Sequence, residues 1–225
     1  MNEYIKKLSF SNGKYREYEI FTDVIKLCAY FIQYNLLFNQ KYEKEYNELL
    51  NKYNEQEKEI MKSLVVELAL LYEAQEEPVD ILGKIFHILN ANNKSLGQFF
   101  TPIHLQELCS ELVQLDYEEI KNKGFTTLEE PSCGSGGMIV AYAKKLKKDG
   151  YDYHKSMVVN AKDLDTLCTY MCYVQLSMYD IPAIVINGDT LSGDVNFVLR
   201  TPQYVLGNWE EKIKKVEKWK IIWVM

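Results

Sequence analysis

The sequence is poor in arginine, and this scarcity limits how the chain could recognise a nucleic acid by itself. Only Arg16 and Arg200 contribute arginine to the 26 basic residues, and the formal net charge of the 225-residue chain is −6. Base edges in a duplex groove are read largely by bidentate arginine, and the phosphate backbone attracts a positive surface. The composition therefore argues against a protein that selects a nucleic-acid sequence unaided.

Long apolar runs and paired cysteine motifs are also missing. No apolar run of about 18 residues or more occurs, and no basic start leads into an apolar segment, so we expect no membrane span and no targeting signal. The five cysteines are scattered without a Cys-x-x-Cys pair, which favours reduced thiols in a cytoplasmic protein. Cys168 and Cys172 share a predicted helix, where a metal pair is one interpretation and two small core residues the other. We predict core residues and no metal site.

The first part of the chain has the periodicity of helices. Apolar residues recur at helical spacing over 18–38, and a charged helical pattern with a break at Asn54 follows over 40–74. Asp80 is a candidate N-cap for a further helix that ends near Leu89. The charged faces of these helices predict either a solvated surface or a surface for a protein partner or a second copy of the chain.

In the second part of the chain, predicted strands alternate with predicted helices. This alternation is typical of a parallel sheet with right-handed crossovers. We therefore predict the α/β class, with a helical module over residues 1–95 followed by an α/β domain over residues 96–225. The predicted strands span 126–130, 156–161, 183–187 and 196–199, with a further one over 220–224. A helix over 105–115 precedes the first strand, and the helices over 138–148 and 165–179 lie between strands.

A glycine-rich turn lies between the first predicted strand and the helix that follows it. Residues 129–138 read EEPSCGSGGM. Glycine lets the backbone approach a ligand without a Cβ in the way, and a helix N-terminus offers N–H groups to a polar ligand. One such turn by itself is weak evidence for a ligand site. Two further segments accompany it, namely GQFFTP at 97–102 and KDLD at 162–165.

Together and in this order, the three segments resemble those of the adenine-N6 DNA methyltransferases, in particular the modification subunit of type I restriction systems. The resemblance covers roughly residues 79–189 and implies S-adenosylmethionine as cofactor, bound on a Rossmann-like methyltransferase sheet. The loop here has Glu130 where the family often has aspartate. The residues that the resemblance assigns to the cofactor are Gln98, Phe99, Phe100, Thr101, Pro102, Glu130, Gly134, Ser135, Gly136, Gly137, Asp163 and Asp189.

Some of these residues have specific roles in the resemblance. Thr101 would offer its hydroxyl to the amino-acid end of the cofactor, and one ring of the Phe99-Phe100 pair would pack in the core. Asp163 would accept the ribose hydroxyls, whereas the rival Asp165 is expected to cap the next helix. Asp189 either contacts the adenine or forms a turn.

The tetrapeptide that grips the flipped adenine in that family, Asn/Asp/Ser-Pro-Pro-aromatic, is missing from this sequence. The nearest segment by position is Thr201-Pro202-Gln203-Tyr204, so Thr201, Pro202 and Tyr204 are the candidate catalytic residues. The sequence after Thr126 also fits fewer strands than a complete family sheet, which predicts a truncated domain.

We therefore expect a protein that binds S-adenosylmethionine, lacks full catalytic activity alone and reaches DNA through a partner subunit. One alternative is an active DNA adenine-N6 methyltransferase, which uses residues 201–204 or is completed by a partner chain. The other alternative is a non-enzymatic interaction module.

Overall fold

The computed structural model of the chain describes residues 1–90, 101–112 and 117–222, with side chains as far as residue 216 except at residue 90. The first part is helical, as the periodicity predicts. The break predicted at Asn54 is confirmed, because the Asn54 side chain accepts a hydrogen bond from the Glu57 N–H, and the Glu57 side chain accepts one from the Asn54 N–H. The helices are α1 (Asn2–Lys7), α2 (Glu17–Leu37), α3 (Gln40–Leu50), α4 (Glu55–Glu73) and α5 (Ile81–Asn90).

The second part contains a four-stranded sheet and its connecting helices. The predicted fold class is thus confirmed as a mixed α/β protein with a helical N-terminal region. The elements are α6 (Ile103–Leu112), α7 (Tyr117–Lys123), β1 (Thr126–Glu130), α8 (Gly137–Lys148), α9 (Tyr153–Ser156), β2 (Met157–Asp163), α10 (Thr166–Met178), β3 (Ala183–Gly188), β4 (Val195–Arg200), α11 (Pro202–Leu206) and α12 (Trp209–Ile222).

The direction of the last strand departs from the parallel pattern. The strand order is β1-β2-β3-β4, and β1, β2 and β3 pair in parallel, but β4 runs antiparallel to β3, with Ile184 opposite Arg200 and Asn187 opposite Phe197. A parallel crossover needs about a dozen residues or more. Only a short turn joins Gly188 to Val195, so the chain reverses and β4 starts where β3 ends.

The N-terminal helices pack directly on the α/β part. Helix α2 lies against α10, where the Gln33 amide donates to the Tyr173 hydroxyl at 2.6 Å, and the Tyr170 ring stacks on Phe197 of β4. One apolar core extends from these helices to the sheet. A second, smaller apolar cluster contains Phe125, Val158, Tyr204 and Trp209.

Several local predictions need correction. The strand predicted over 220–224 is wrong for residues 220–222, which continue helix α12, and the last residues lie outside the described part. Helices α1, α7, α9, α11 and α12 have no counterpart in the sequence prediction. The boundary between modules at residue 95 stays a prediction. Within the described ranges, no helix is both long and apolar enough to cross a bilayer.

Candidate functional site

The glycine-rich loop joins the carboxyl end of β1 to the N-terminus of α8, as predicted. Gly134 and Gly136 have φ angles of +53° and +86°, a region that residues with a Cβ rarely occupy. Gly136 is also closely packed, since a Cβ at this position would lie 3.2 Å from the Cys172 Sγ atom. At the start of the loop, a Glu130 carboxylate oxygen accepts a hydrogen bond from the Ser132 N–H at 3.2 Å. The glycines are therefore required by the loop's shape.

The loop is hydrogen-bonded to the end of β2, where Asp163 lies. The Cys133 N–H donates to the Lys162 carbonyl at 2.9 Å, and the Gly134 N–H donates to Asp163 Oδ2 at 2.8 Å. The second carboxylate oxygen, Oδ1, accepts the Asp165 N–H at 2.9 Å. Each oxygen of an ionised carboxylate has two lone pairs, so Asp163 retains acceptor positions for a ligand hydroxyl. The structure thus brings two of the predicted segments together.

Two further acidic residues that follow strands, Asp165 and Asp189, take part in local hydrogen bonds. Asp165 caps α10, since its Oδ1 accepts the Cys168 N–H at 2.8 Å, and the capping prediction is confirmed. Asp189 follows β3, and its Oδ1 accepts the Leu191 N–H at 2.8 Å, which is a turn interaction. The neighbouring Thr190 hydroxyl donates to the Pro131 carbonyl at 2.7 Å. The turn after β3 therefore lies against the loop, and contact of Asp189 with an adenine stays a prediction.

A cleft of about 250 Å³ opens between the loop and the segment that leads into α6. Thr101 lines this cleft from the α6 side, and Pro102 directly follows it in the sequence. The predicted residues Gln98, Phe99 and Phe100 lie outside the described residues. Among the described residues, those that line the cleft are Thr101, Gln106, Ser132, Cys133, Gly134, Ser135, Gly137 and Met138. The cleft thus joins the first predicted segment to the loop.

A buried carboxylate, Asp80, lies directly behind this cleft. It is 3% exposed, and the sequence identified it only as an N-cap. The capping bond is present, because the Gly83 N–H donates to Oδ1 at 2.8 Å. In addition, Oδ2 accepts bonds from Gln106 Nε2 at 2.9 Å and from the Ser135 hydroxyl at 3.0 Å. Ser135, a predicted cofactor residue, therefore directs its hydroxyl at Asp80.

A glutamine on α10 completes this buried network. Gln175 Nε2 donates to Asp80 Oδ1 at 2.9 Å and to the Ser135 carbonyl at 2.7 Å. Its Oε1 accepts bonds from the Tyr72 hydroxyl at 3.0 Å and from the Leu82 N–H at 3.1 Å. Helices α4, α5 and α10 are thus connected to the loop at its base. The sequence prediction missed these polar contacts.

The buried Asn187 holds the segment after β2 in a similar way. Its Nδ2 donates to the carbonyls of Asp163 and Leu164, at 3.2 and 3.1 Å, and to the Thr169 hydroxyl at 3.0 Å. Its Oδ1 accepts a bond from the Asn196 amide at 2.9 Å. These contacts position Asp163 from the β3 side. The sequence prediction recognised Asn187 only as the last residue of a strand.

The thiols near the loop are buried and poorly suited to nucleophilic or ligand roles. Burial is the largest cause that raises the pKa of both Cys168 and Cys172. For Cys172 a hydrogen bond with Cys133 also raises the pKa, so the protonated thiol is favoured. Across the residues with described side chains, no group of three or more His, Cys, Asp or Glu residues could hold a metal ion.

Comparison with known proteins identifies the family. Residues 78–224 match the family model described as N-6 DNA methylase. The chain belongs to the N-6 DNA methylase family. A crystal structure from Listeria monocytogenes, described as a putative class I S-adenosylmethionine-dependent methyltransferase, is similar with a TM-score of 0.41 and 16% sequence identity. The similarity covers 77% of this chain and 54% of that protein. No protein of curated function matches the sequence significantly.

In this member of the N-6 DNA methylase family, the candidate catalytic segment lies at the opposite edge of the sheet from the cleft. The Thr201 hydroxyl is fully buried, donates to the Ile181 carbonyl at 2.8 Å and accepts the Ala183 N–H at 2.9 Å. Ala183 begins β3, whereas the loop lies where the parallel strands end. Five residue steps along β3 correspond to about 16 Å. The Thr201 hydroxyl is therefore engaged in holding β3 and β4 together.

The other two candidate catalytic residues also have structural environments. Pro202 is the first residue of α11, a position where proline is well tolerated. Tyr204 is 4% exposed and lies in the small apolar cluster with Phe125 and Trp209. The structure does not bring Thr201, Pro202 and Tyr204 to the cleft. Their assignment as a substitute catalytic loop has no geometric support, because the antiparallel β4 carries them away from it.

Proposed function

We propose that this chain binds S-adenosylmethionine in the cleft beside the glycine-rich loop, and that it does not transfer the methyl group unaided. The observation that carries the proposal is the convergence of three segments. Thr101 and the loop line one cleft, and the loop is bonded through the Gly134 N–H to Asp163 at the end of β2. Membership of the N-6 DNA methylase family implies the same cofactor.

The residues around the cleft fit the two polar ends of this cofactor. The first N–H groups of a helix have no intrahelical partner, and Gly137 and Met138 at the start of α8 line the cleft. A carboxylate is stabilised at such a helix N-terminus. Asp163 would accept the ribose hydroxyls, and Thr101 would bond the amino-acid end. When bound, the cofactor supplies an electrophilic methyl group on a sulfonium.

A partner subunit would supply what this chain lacks for methyl transfer to DNA. The tetrapeptide-like segment lies at the wrong edge of the sheet, and the net charge of −6 gives little attraction for phosphates. We propose that a partner provides DNA contact and a pocket for the flipped adenine. The competing candidate is an active adenine-N6 methyltransferase that is completed by that partner. The glycine-rich loop and its hydrogen bond to Asp163 favour this candidate over a non-enzymatic interaction module.

Titration calorimetry with S-adenosylmethionine tests the binding proposal. We expect binding by the wild-type chain and a loss of at least about tenfold in affinity for Asp163→Ala, since hydrogen bonds to a charged group contribute about 1.5–3 kcal/mol. Asp163→Asn should lose less, because one acceptor oxygen remains. Asp149→Ala, which removes an exposed carboxylate at the end of α8, is the matched control. Absence of heat from the wild-type chain, or unchanged affinity in Asp163→Ala, contradicts the proposal.

Transfer of tritium from labelled cofactor to adenine-containing DNA tests the catalytic part. The chain alone should give no transfer above a sample without protein. Transfer that is abolished by Tyr204→Ala, in a variant shown by circular dichroism to be folded, would support residues 201–204 as a working catalytic loop. Transfer that requires an added partner chain would instead support the competing candidate.

A further inference from the structure

The carboxylate of Asp80 is buried close to the cleft wall. Two of its hydrogen-bond donors, Gln106 and Ser135, line the cleft. A third lining residue, Gly137, is packed against it, since a Cβ at this glycine would lie 2.5 Å from Asp80 Oδ2. Among the described residues, the backbone of Gly137 and the polar side chains of Gln106 and Ser135 lie between the carboxylate and the cleft.

In the described part of the chain, the hydrogen-bond partners of the Asp80 carboxylate are uncharged groups. Four uncharged groups donate hydrogen bonds to it, namely the Gly83 N–H, the Gln106 and Gln175 amides and the Ser135 hydroxyl. Among the residues whose side chains are described, none places a Lys, Arg or His nitrogen in an ion pair with Asp80. Neutral donors stabilise a carboxylate locally, but they leave its net charge, so its field extends into the cleft.

We propose that Asp80 is a specificity-determining residue whose buried negative charge favours the cofactor, with its cationic sulfonium, over the demethylated product. This inference rests on the proposed binding of S-adenosylmethionine. The methyl donor carries a positive sulfonium, whereas S-adenosylhomocysteine has a neutral thioether and is otherwise the same molecule. A buried charge beside the cleft acts on this difference, because the two ligands share every other charged group and only one of them carries the sulfonium. Asp80 acts through space and positions the loop through Ser135.

The test is the ratio of the affinities for the two ligands, measured by titration calorimetry. Asp80→Asn removes the charge and keeps the size of the side chain. We expect the preference for S-adenosylmethionine over S-adenosylhomocysteine to fall about five- to tenfold, because a buried charge interacts with the sulfonium through a medium of low effective dielectric constant. A residue that only held the loop in place would weaken both ligands equally and leave the ratio unchanged.

A second variant and a matched control keep the result independent of folding damage. Gln106→Lys supplies Asp80 with a cation and should lower the same ratio while the carboxylate remains. Asp23→Asn removes another buried carboxylate, which accepts bonds from Lys52 and Tyr53 in the helical region and does not line the cleft. It should lower stability and leave the ratio unchanged.

The wild-type chain provides a third measurement. It should bind the amine analogue of the cofactor, in which a protonated amine replaces the methylsulfonium, more tightly than S-adenosylhomocysteine. An unchanged ratio in a folded Asp80→Asn or Gln106→Lys variant would overturn the inference, as would equal or weaker binding of the amine analogue. These outcomes leave the proposed function standing. Absence of binding of all three ligands to the wild-type chain would instead remove the proposed function itself.

Discussion

Replacing Gly137 by alanine tests the close packing between the glycine-rich loop and the buried network. An alanine Cβ at this position would lie 2.2 Å from Gln106 Nε2 and 2.5 Å from Asp80 Oδ2. Both distances are far below van der Waals contact, and both side chains are buried. The added methyl therefore cannot be accommodated without displacing Gln106, Asp80 or the start of α8.

The size of the effect follows from three contributions. Glycine to alanine in an unhindered helix stabilises a protein by about 0.5–1 kcal/mol. Overpacking of a filled site costs about 1–3 kcal/mol. Displacement of Gln106 also breaks its bond to the Asp80 carboxylate, and a hydrogen bond to a charged group contributes about 1.5–3 kcal/mol. We expect Gly137→Ala to lower the free energy of unfolding by about 2–5 kcal/mol.

Urea denaturation followed by circular dichroism measures this change, with the slope of the transition compared between variants. Gly150→Ala is the matched control. Gly150 has a φ of +86°, and a Cβ added there would have no atom within 4 Å, so only backbone strain of about 1–2 kcal/mol applies. In the Gly137→Ala background, Gln106→Ala should recover part of the loss, because it removes the atom closest to the new methyl.

An unchanged or increased free energy of unfolding in Gly137→Ala would contradict this prediction. If Gly137→Ala is as stable as the wild-type chain or more stable, the helix-propensity gain is unopposed, and the loop cannot be packed against Asp80 as described. A loss equal to that of Gly150→Ala, without coupling to Gln106→Ala, would also contradict it. The close approach would then not be the cause of the destabilisation.

Three further predictions concern residues away from the loop. Thr201→Val should cost about 1–3 kcal/mol of stability, because the Ala183 N–H and the Ile181 carbonyl lose their partner, while cofactor affinity measured by calorimetry stays the same; lost affinity with unchanged stability would contradict this. Burial raises the pKa of the Cys28 thiol from 9.0 to about 12, so its stabilisation is present below pH 9 and is lost as the pH rises towards 12. Urea titrations across this pH range should show that the free energy of unfolding depends less on pH in Cys28→Ala than in the wild-type chain. Parallel profiles for the two proteins would contradict a raised Cys28 pKa as the cause. Cys109 is half-buried and the other four cysteines are buried, so an aromatic disulfide reagent should modify Cys109 first in the native chain; faster modification at another cysteine, identified by mass spectrometry, would show that the burial is wrong.

Elements with a local cause could be predicted from the sequence. The break at Asn54, the cap at Asp165 and the glycine-rich turn all depend on contacts within a few residues, and all occur where the pattern placed them. Parallel pairing of β1, β2 and β3 follows from the helices between them, since each connection is long enough for a crossover. The position of Asp163 beside the loop follows from the same topology.

The buried network behind the cleft could not be predicted in this way. The bond between Gln175 and Asp80 joins residues 95 positions apart, so no local pattern signals it. Apolar periodicity gives no signal for Gln106 either, because it favours the leucines of α6 as the buried face. In the structure Leu105 and Leu108 are 42% and 54% exposed, whereas Gln106 is 4% exposed. A hydrogen bond to a buried carboxylate outweighs hydrophobic periodicity here.

The direction of β4 supports the proposed lack of unaided methyl transfer more strongly than the identity of the residues after it does. In a sheet whose strands all run in parallel, the segment after β4 would lie beside the loop, at the edge where Asp163 lies. Here β4 pairs antiparallel with β3, so its last residue, Arg200, lies opposite Ile184 near the start of β3. Restoring the family tetrapeptide at Thr201 and Gln203 would therefore place it at the far edge of the sheet. Under the proposed function, methyl transfer would require either a different pairing of β4 or a base pocket from another chain, whereas binding of the cofactor would require neither.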